Sequence, residues 1–422
     1  MQSSFVDPLL WLGQQERSIL PLVGRENEMR LIRTLLNTVL HDETVGARAL
    51  TIRGEMGVGK SRLLAEIYAQ AQTLGFRVIK GHAYESDNLF PYFPFIEALR
   101  PILRTLSSGQ LRRYLGLPSQ QTASVQTAKQ EHLSTANEDA SEAKSEIIRF
   151  VGTPLIAALA HLFPTLPTLL DVVITAEQLS PEQEKFRLFD AVATLLESMA
   201  LDQPILLGID NLQWADSASL ELTMYLTMRL HQSRVVLIGV TRFPGGSSQW
   251  PGTDRPTATA TSAATMVKIL GELVRQKLLT ILPLAALDSS VAIQHLQNLL
   301  PGKRDEHLEQ ILLTRAGGNP FFLEELVQAL TRSHAIIQQG GTWLPSRSIE
   351  NELPSDILLA VKQRLQELSQ TCLDILRTAS LFGRTFPKDA LLRVIESNDP
   401  GTNQTDPRDL SPSVGAQFTV HP

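Results

Sequence analysis

The stretch Gly54-Glu55-Met56-Gly57-Val58-Gly59-Lys60-Ser61 decides how the rest of the chain is read, because of what stands on either side of it. Before it, Ala49-Leu50-Thr51-Ile52 is a short apolar run of the kind that forms a buried strand. After it, Lys60 to Leu74 carries helical spacing until Gly75 stops it, and Phe76-Arg77-Val78-Ile79 is a second apolar run. Strand, glycine-rich loop, helix and strand in that order are the grammar of a parallel α/β sheet. The loop has the Gly-x-x-x-x-Gly-Lys-Ser spacing of a P-loop. Its glycines let backbone N–H groups curl around an anion, and the start of the following helix adds the positive end of its dipole. Lys60 is placed to reach the β- and γ-phosphates of a nucleotide, and the Ser61 hydroxyl to hold Mg²⁺. The expected ligands are therefore ATP and Mg²⁺, with Gly54, Glu55, Met56, Gly57, Val58, Gly59, Lys60, Ser61 and Arg62 around the phosphates.

Working outward, two further apolar runs end in polar residues. Pro204-Ile205-Leu206-Leu207-Gly208-Ile209 runs into Asp210, and Val235-Val236-Leu237-Ile238-Gly239-Val240 runs into Thr241-Arg242. Polar groups at the carboxyl ends of parallel strands face the crevice where ligands bind. Asp210 is the candidate second ligand to Mg²⁺, and Arg242 the candidate sensor of the γ-phosphate. Asn211 follows Asp210 where many P-loop ATPases carry an acid. An amide can position water through its carbonyl but accepts no proton at neutral pH, so turnover is expected to be slow. Asp216, six residues further on, reads as the cap of a helix from Ser217 to Leu230.

Elsewhere the pattern is coarser. Helices are expected over Glu26–Leu40, 91–104, Ile147–Phe163 and Glu182–Met199, and Leu278-Leu279-Thr280-Ile281 reads as a fifth strand. The polar residues 118–146 read as a flexible insert, and the Gly-, Pro-, Ser- and Thr-rich residues 244–264 as an exposed loop. After about residue 286 only helices are expected, at 288–299, 305–315, 320–333, 354–368 and 370–381. Glu324 and Glu325 read as first-turn charges of the helix opened by Pro320. Of the tryptophans, Trp214 alone has a motif around it, and packing is its simpler role.

The 422 residues are 43% hydrophobic and 19% charged, which excludes a wholly disordered chain and predicts two to three domains. Thirty-eight Lys and Arg against 44 Asp and Glu leave a net charge of −6, which argues against nucleic acid as the partner of this chain. The single cysteine, Cys372, excludes an internal disulfide and reads as a small buried hydrophobe in a helix. No apolar run reaches membrane-spanning length, and the N-terminus lacks the basic start of a signal peptide. The expected location is cytoplasmic, with no membrane partner. The nine histidines show no metal-ligand spacing.

Several boxes in fixed order carry a family resemblance. They are Pro21-Leu22-Val23-Gly24-Arg25-Glu26-x-Glu28, Ile209-Asp210-Asn211-Leu212-Gln213-Trp214-Ala215-Asp216, and Gly317-Gly318-Asn319-Pro320-Phe321-Phe322-Leu323-Glu324-Glu325-Leu326. Leu353-Pro354, Arg364-Leu365-x-x-Leu368 and Ala379-x-x-Phe382-Gly383-x-x-Phe386 follow them. Together with the P-loop they resemble the STAND-class AAA-like ATPase module of large bacterial signalling and transcriptional regulators. Those regulators include LuxR-type ATP-binding proteins and cyclase- or kinase-linked ATPases. The resemblance spans roughly residues 20–390 and departs from the family at Asn211.

The resemblance implies a P-loop NTPase sheet in the order 5-1-4-3-2. It implies a lead-in over 1–20 and an ATPase core over 21–285 with a helical insertion at about 90–200. A helical lid over 286–335, a partial winged helix over 336–396 and a disordered tail over 397–422 complete the expected plan. It places Val23, Gly24, Arg25 and Pro320 around the adenine. It implies an ATP-dependent switch that acts on a protein partner or an effector domain, with oligomerisation open. In that family a helical repeat array and an effector follow. Residues 1–422 reach neither, as a truncated product or a stand-alone module. The alternatives are a fragment of a DNA-binding transcription regulator and a scaffold that holds nucleotide without turnover.

Overall fold

A computed structural model describes residues 21–41, 48–84, 90–117, 150–151, 153–174, 179–242, 258–346, 373–377, 385–387 and 417–419. They divide into two compact units, one over Pro21–Ala285 and one from Ala286 onward.

The first unit is built on five parallel strands: β1 (Ala49–Gly54), β2 (Arg77–His82), β3 (Ile205–Asp210), β4 (Val235–Thr241) and β5 (Leu279–Leu284). Their order across the sheet is β2-β3-β4-β1-β5, so the expected order 5-1-4-3-2 is observed. The fold is therefore an α/β P-loop NTPase fold. All six residues of β3 are buried, which explains its unbroken apolar run: a strand covered on both faces has no polar face to show.

Successive residues of each strand point to opposite faces, and two hydrophobic clusters result. On one face Leu50, Ile52, Leu206, Ile238 and Leu282 pack against helices α1 (Glu26–Leu40) and α2 (Lys60–Thr73), through residues such as Ile32, Leu36, Leu63 and Ile67. On the other face Ile79, Leu207, Ile209 and Leu237 meet helices of the insertion and of the later core. The insertion supplies α3 (Phe93–Thr105), α4 (Ser108–Tyr114), α5 (Pro154–Ala160), α6 (Leu166–Leu170) and α7 (Pro181–Asp202). Helices α8 (Ser217–Arg229) and α9 (Ala258–Arg275) close the layer. The start of α7 is fixed by a capping box in which Ser180 and Gln183 satisfy each other's backbone N–H groups.

Two elements differ from the sequence expectation. The helix expected from Ile147 begins only at Pro154, because Phe150–Val151 instead pairs in parallel with Val172–Val173. The stretch 244–264 is not loop throughout, since α9 starts at Ala258. The Ala- and Thr-rich residues there hold no Gly or Pro to stop a helix once the apolar residues beyond them are packed.

The second unit holds α10 (Ser289–Leu299), α11 (Glu306–Ala316) and α12 (Pro320–Arg332) around Leu296, Leu312, Leu326 and Trp343. It is not helical alone. Strands β6 (Lys303–Arg304), β7 (Ile336–Gln339) and β8 (Thr342–Pro345) form a three-stranded sheet, with β7 and β8 joined by the turn Gly340-Gly341. Both turn glycines have positive φ, 57° and 80°, as a tight hairpin requires. Glu324 and Glu325 lie beyond the first turn of α12, and Glu325 is buried, so charge complementarity with the helix dipole is not their role.

The lead-in, the polar insert 118–146 and Cys372 lie outside the described residues. So does most of the expected winged helix and tail. Within them Asp374 pairs with Arg377, and Thr385–Pro387 pairs antiparallel with Gln417–Thr419. Among the described residues no helix is long and apolar enough to cross a membrane.

Candidate functional site at the carboxyl edge of the sheet

All five strands run the same way, so Gly54, His82, Asp210, Thr241 and Leu284 end on one edge. The site is assembled there from three strand ends and the loop after β1. The loop from Gly54 to Gly59 reverses direction with φ of 82° at Gly57 and 93° at Gly59. Both values lie in the left-handed region that a side chain disfavours. Gly59 is also the residue before α2, and no side chain caps that helix. A helix start without a side-chain cap suits a bound anion.

Lys60, the first residue of α2, is only 7% exposed. Its Nζ donates to the carbonyls of Gly54 at 3.0 Å and Glu55 at 2.6 Å. Burial, and then the positive charge of Arg242, bring its pKa down from 10.5 to about 8, against the opposing pull of Asp210 and Glu55. An ammonium that is short of negative partners is suited to accept one.

Asp210, at the end of β3, is almost fully buried. Its Oδ2 accepts from Ser61 Oγ at 2.9 Å, and its Oδ1 from the backbone N–H of Asn211 at 2.8 Å. A hydroxyl and a carboxylate this close are both hard oxygen donors, the type Mg²⁺ prefers. The pair fits a magnesium ion that keeps water on its other positions. Ser61 and Asp210 would hold it, and it would neutralise phosphate charge.

After Asp210 the chain turns sharply. Asn211 adopts φ 59°, ψ 42°, and Leu212–Trp214 forms one turn of 3₁₀ helix. Leu212 seats this turn on β4, where a Cβ on Gly239 would come within 2.3 Å of its Cδ1. Asp216 caps α8 by accepting from the N–H of Ser219 at 2.9 Å, the capping role its position suggested. Trp214 packs against the core and lies under the Arg242 guanidinium, 5.2 Å from ring centroid to Cζ.

The residues expected around a base are positioned as follows. Gly24 has φ 67°, and its N–H donates to Glu26 Oε1 at 3.2 Å. Val23 beside it is half-buried. Arg25 is buried and its guanidinium is committed to three acceptors: Glu28 at 3.2 Å, the Val58 carbonyl at 3.1 Å and the Ala285 carbonyl at 2.7 Å. It braces the start of α1, the P-loop and the end of β5 together. Arg62 pairs with Glu66 along α2. Pro320 is the first residue of α12 in the second unit, with Asn319 capping the helix through the Phe322 N–H.

Two features at this edge were not read from the sequence. Gln213 links the ends of β3 and β4: its Nε2 donates to Asn211 Oδ1 at 3.2 Å, and its Oε1 accepts from the Arg242 backbone N–H at 3.0 Å. At the end of β2, the Glu97 carboxylate of α3 accepts from the His82 backbone N–H at 2.7 Å and from the Tyr84 hydroxyl at 3.3 Å. The first had a signal, since Gln213 stands inside the box around Asp210. The second had none, because α3 and β2 meet only through the fold.

A family model described as "AAA ATPase domain" matches residues 21–238, half of the chain. An uncharacterized protein of Rhizobium meliloti (strain 1021) is 23% identical over 383 residues, covering 86% of this chain and 30% of its own length. The chain thus spans less than a third of that relative. Among solved structures, Aeropyrum pernix ORC2 in its ADPNP–ADP complexes is 16% identical with a TM-score of 0.40, the match covering 90% of this chain and 82% of ORC2. A Thermotoga maritima RuvB variant is 14% identical with a TM-score of 0.32, over 88% and 82% of the two chains.

Proposed function

The chain belongs to the AAA ATPase domain family, and from that premise we propose that it binds Mg²⁺–ATP at the P-loop, hydrolyses it slowly and serves as a nucleotide-dependent signalling switch. Nucleotide binding is what the family itself implies. The observation that carries the proposal further is the meeting of Ser61 with Asp210 at 2.9 Å beside a buried Lys60. One would anchor the metal and the other meet the phosphates. Lys60 and Arg242 supply positive charge at the phosphate end, with Arg242 in the sensor position. Val23 and Gly24 are the proposed neighbours of the base, and Arg25 holds the loop they border.

Slow turnover is supported by Asn211, which stands where a general base would. The switch follows from slow chemistry: a bound triphosphate that outlives its encounter can bias a conformational equilibrium by its differential affinity for two states. The STAND-class reading rests on the boxes at 21–28, 209–216 and 317–326, and the protein partner or effector it entails is part of this proposal.

Calorimetry with Mg²⁺–ATP on the full chain tests it. Wild type binds and Lys60→Ala loses at least about tenfold in affinity, since a charge-assisted bond to phosphate is worth roughly 1.5–3 kcal/mol. Equal affinity in the two proteins would overturn the assignment. A scaffold without turnover is favoured by the same Asn211, and a single-turnover assay with no product above the uncatalysed background would select it.

A further inference from the structure

The amide of Gln213 spans the gap between two of the residues assigned to the phosphate end, and its orientation is not free. A backbone N–H can only donate. The Arg242 N–H, 3.0 Å away, therefore requires the carbonyl oxygen of Gln213 to face it. The other end of that amide, the Nε2 group, is then what meets Asn211 at 3.2 Å. An N–H₂ group can only donate too, so the oxygen of the Asn211 amide must face Gln213. One fixed donor on β4 thus sets the orientation of two side-chain amides in series. The backbone adds to this: Asn211 is held in the left-handed region at φ 59°, and Leu212 locks the turn against Gly239.

With its oxygen turned to Gln213, Asn211 directs its Nδ2 hydrogens the other way. The position after the magnesium carboxylate then offers hydrogen-bond donors and not the acceptor that would orient an attacking water. Donors select an anion. The partner such a group recognises is a phosphate oxygen, and of the groups on an adenine nucleotide the one that distinguishes ATP from ADP is the terminal phosphoryl.

We propose that Gln213 is a positioning residue that holds Asn211 as a hydrogen-bond donor to the γ-phosphate, so that this pair discriminates triphosphate from diphosphate. The inference rests on the proposed nucleotide site and deepens it. It also accounts for slow chemistry in a second way: beyond lacking a base, the residue after Asp210 turns its amide oxygen away from the water.

The test compares Mg²⁺–AMPPNP and Mg²⁺–ADP affinities by calorimetry in wild type, Gln213→Met and Gln213→Glu. In Gln213→Met the side chain keeps its length and loses both bonds. In Gln213→Glu one carboxylate oxygen still accepts from Arg242 N–H, which keeps the loop tied down. The other oxygen now faces Asn211 and turns its amide to donate inward. The expected result is that Gln213→Glu loses AMPPNP affinity by about tenfold, the worth of one hydrogen bond to a charged group, and Gln213→Met by a smaller factor because Asn211 is freed and not reversed, while ADP affinity stays within about twofold in both. An unchanged AMPPNP-to-ADP ratio in Gln213→Glu overturns the proposal. So does an equal loss of both nucleotides, which is a merely structural effect, and so does a loss confined to Gln213→Glu, which is a charge effect. Wild type that binds neither nucleotide overturns the nucleotide site itself, a separate outcome from these.

Discussion

Ser61 Oγ and Asp210 Oδ2 lie 2.9 Å apart although 149 positions separate them in the chain. The first is delivered by the start of α2 and the second by the end of β3. Two strands that are not neighbours, β1 and β3, must run parallel with β4 between them for this contact to exist. The contact is thus a product of the sheet order and not of either motif alone.

Removing the charge at this contact tests its role. Asp210→Asn keeps an oxygen that accepts from Ser61 and loses the anion a magnesium ion needs. Affinity for ATP in Mg²⁺ is expected to fall by roughly 10- to 100-fold, while affinity in EDTA changes little. Titrations with and without Mg²⁺ on both proteins check it. Parallel losses under both conditions would remove Asp210 from the metal site.

Lys60 gives a pH dependence of defined sign. Burial chiefly, and then Arg242, lower its pKa from 10.5 to about 8. Between those values the unfolded chain carries the proton and the folded chain does not, so the burden of charging Lys60 is present below pH 8 and is relieved as pH rises through the window. Lys60→Met should therefore gain thermal stability over wild type at pH 7, and the gain should shrink toward pH 10. Phosphate oxygens against Nζ restore the ammonium form. Nucleotide binding near pH 9 should take up part of a proton, read from calorimetry in buffers of different ionisation enthalpy, and Lys60→Arg should take up none.

Arg25 is expected to matter to stability before it matters to binding. Arg25→Met leaves the Val58 and Ala285 carbonyls without their shared donor and frees the P-loop from β5. A cost of roughly 2–4 kcal/mol is expected, or a fall of about 5–12 °C in melting temperature for a unit of this size. Arg25→Lys should recover little, because a point ammonium cannot span three acceptors as a planar fork does. Melting curves and hydrogen exchange over residues 55–60 decide it.

Asn211→Asp should speed the chemical step. A carboxylate at this position can accept the proton of water, and general-base help is typically worth about 10²–10⁴-fold. The variant also presents an anion where the amide presented donors, so its preference for triphosphate should weaken. Single-turnover rates with ATP measure the first effect. A rate equal to wild type would locate the base elsewhere, and the Glu97 carboxylate at the end of β2 would be the next residue to replace.

Much of the first unit was legible. The runs at Ala49, Pro204 and Val235 are buried on both faces, so burial makes them largely apolar and easy to find, while the run at Phe76 leads into the edge strand β2, which is only partly buried. What escaped notice was short or at an edge. The two-residue pairings at Phe150–Val151 and Lys303–Arg304 are too brief to show any period. The hairpin of Ile336–Gln339 with Thr342–Pro345 did carry a signal, Gly340-Gly341 between two strand-like runs, and the helical texture around it masked that signal.

The local chemistry was written in the sequence by itself. Only glycine accepts the backbone of the loop at Gly57 and Gly59, only a continuous apolar run survives in β3, and a short polar side chain before Ser217 caps a helix wherever it stands. Such constraints act over a few residues and leave a mark at fixed spacing. The tertiary structure alone decided what those pieces meet. The brace from Arg25 to Val58 and Ala285, the seat of Leu212 on Gly239 and the amide chain from Arg242 through Gln213 to Asn211 each join residues from different strand ends. Hydrogen bonds act only within about 3 Å. Their direction is therefore set by where the packed sheet brings each donor, which no spacing along the chain records.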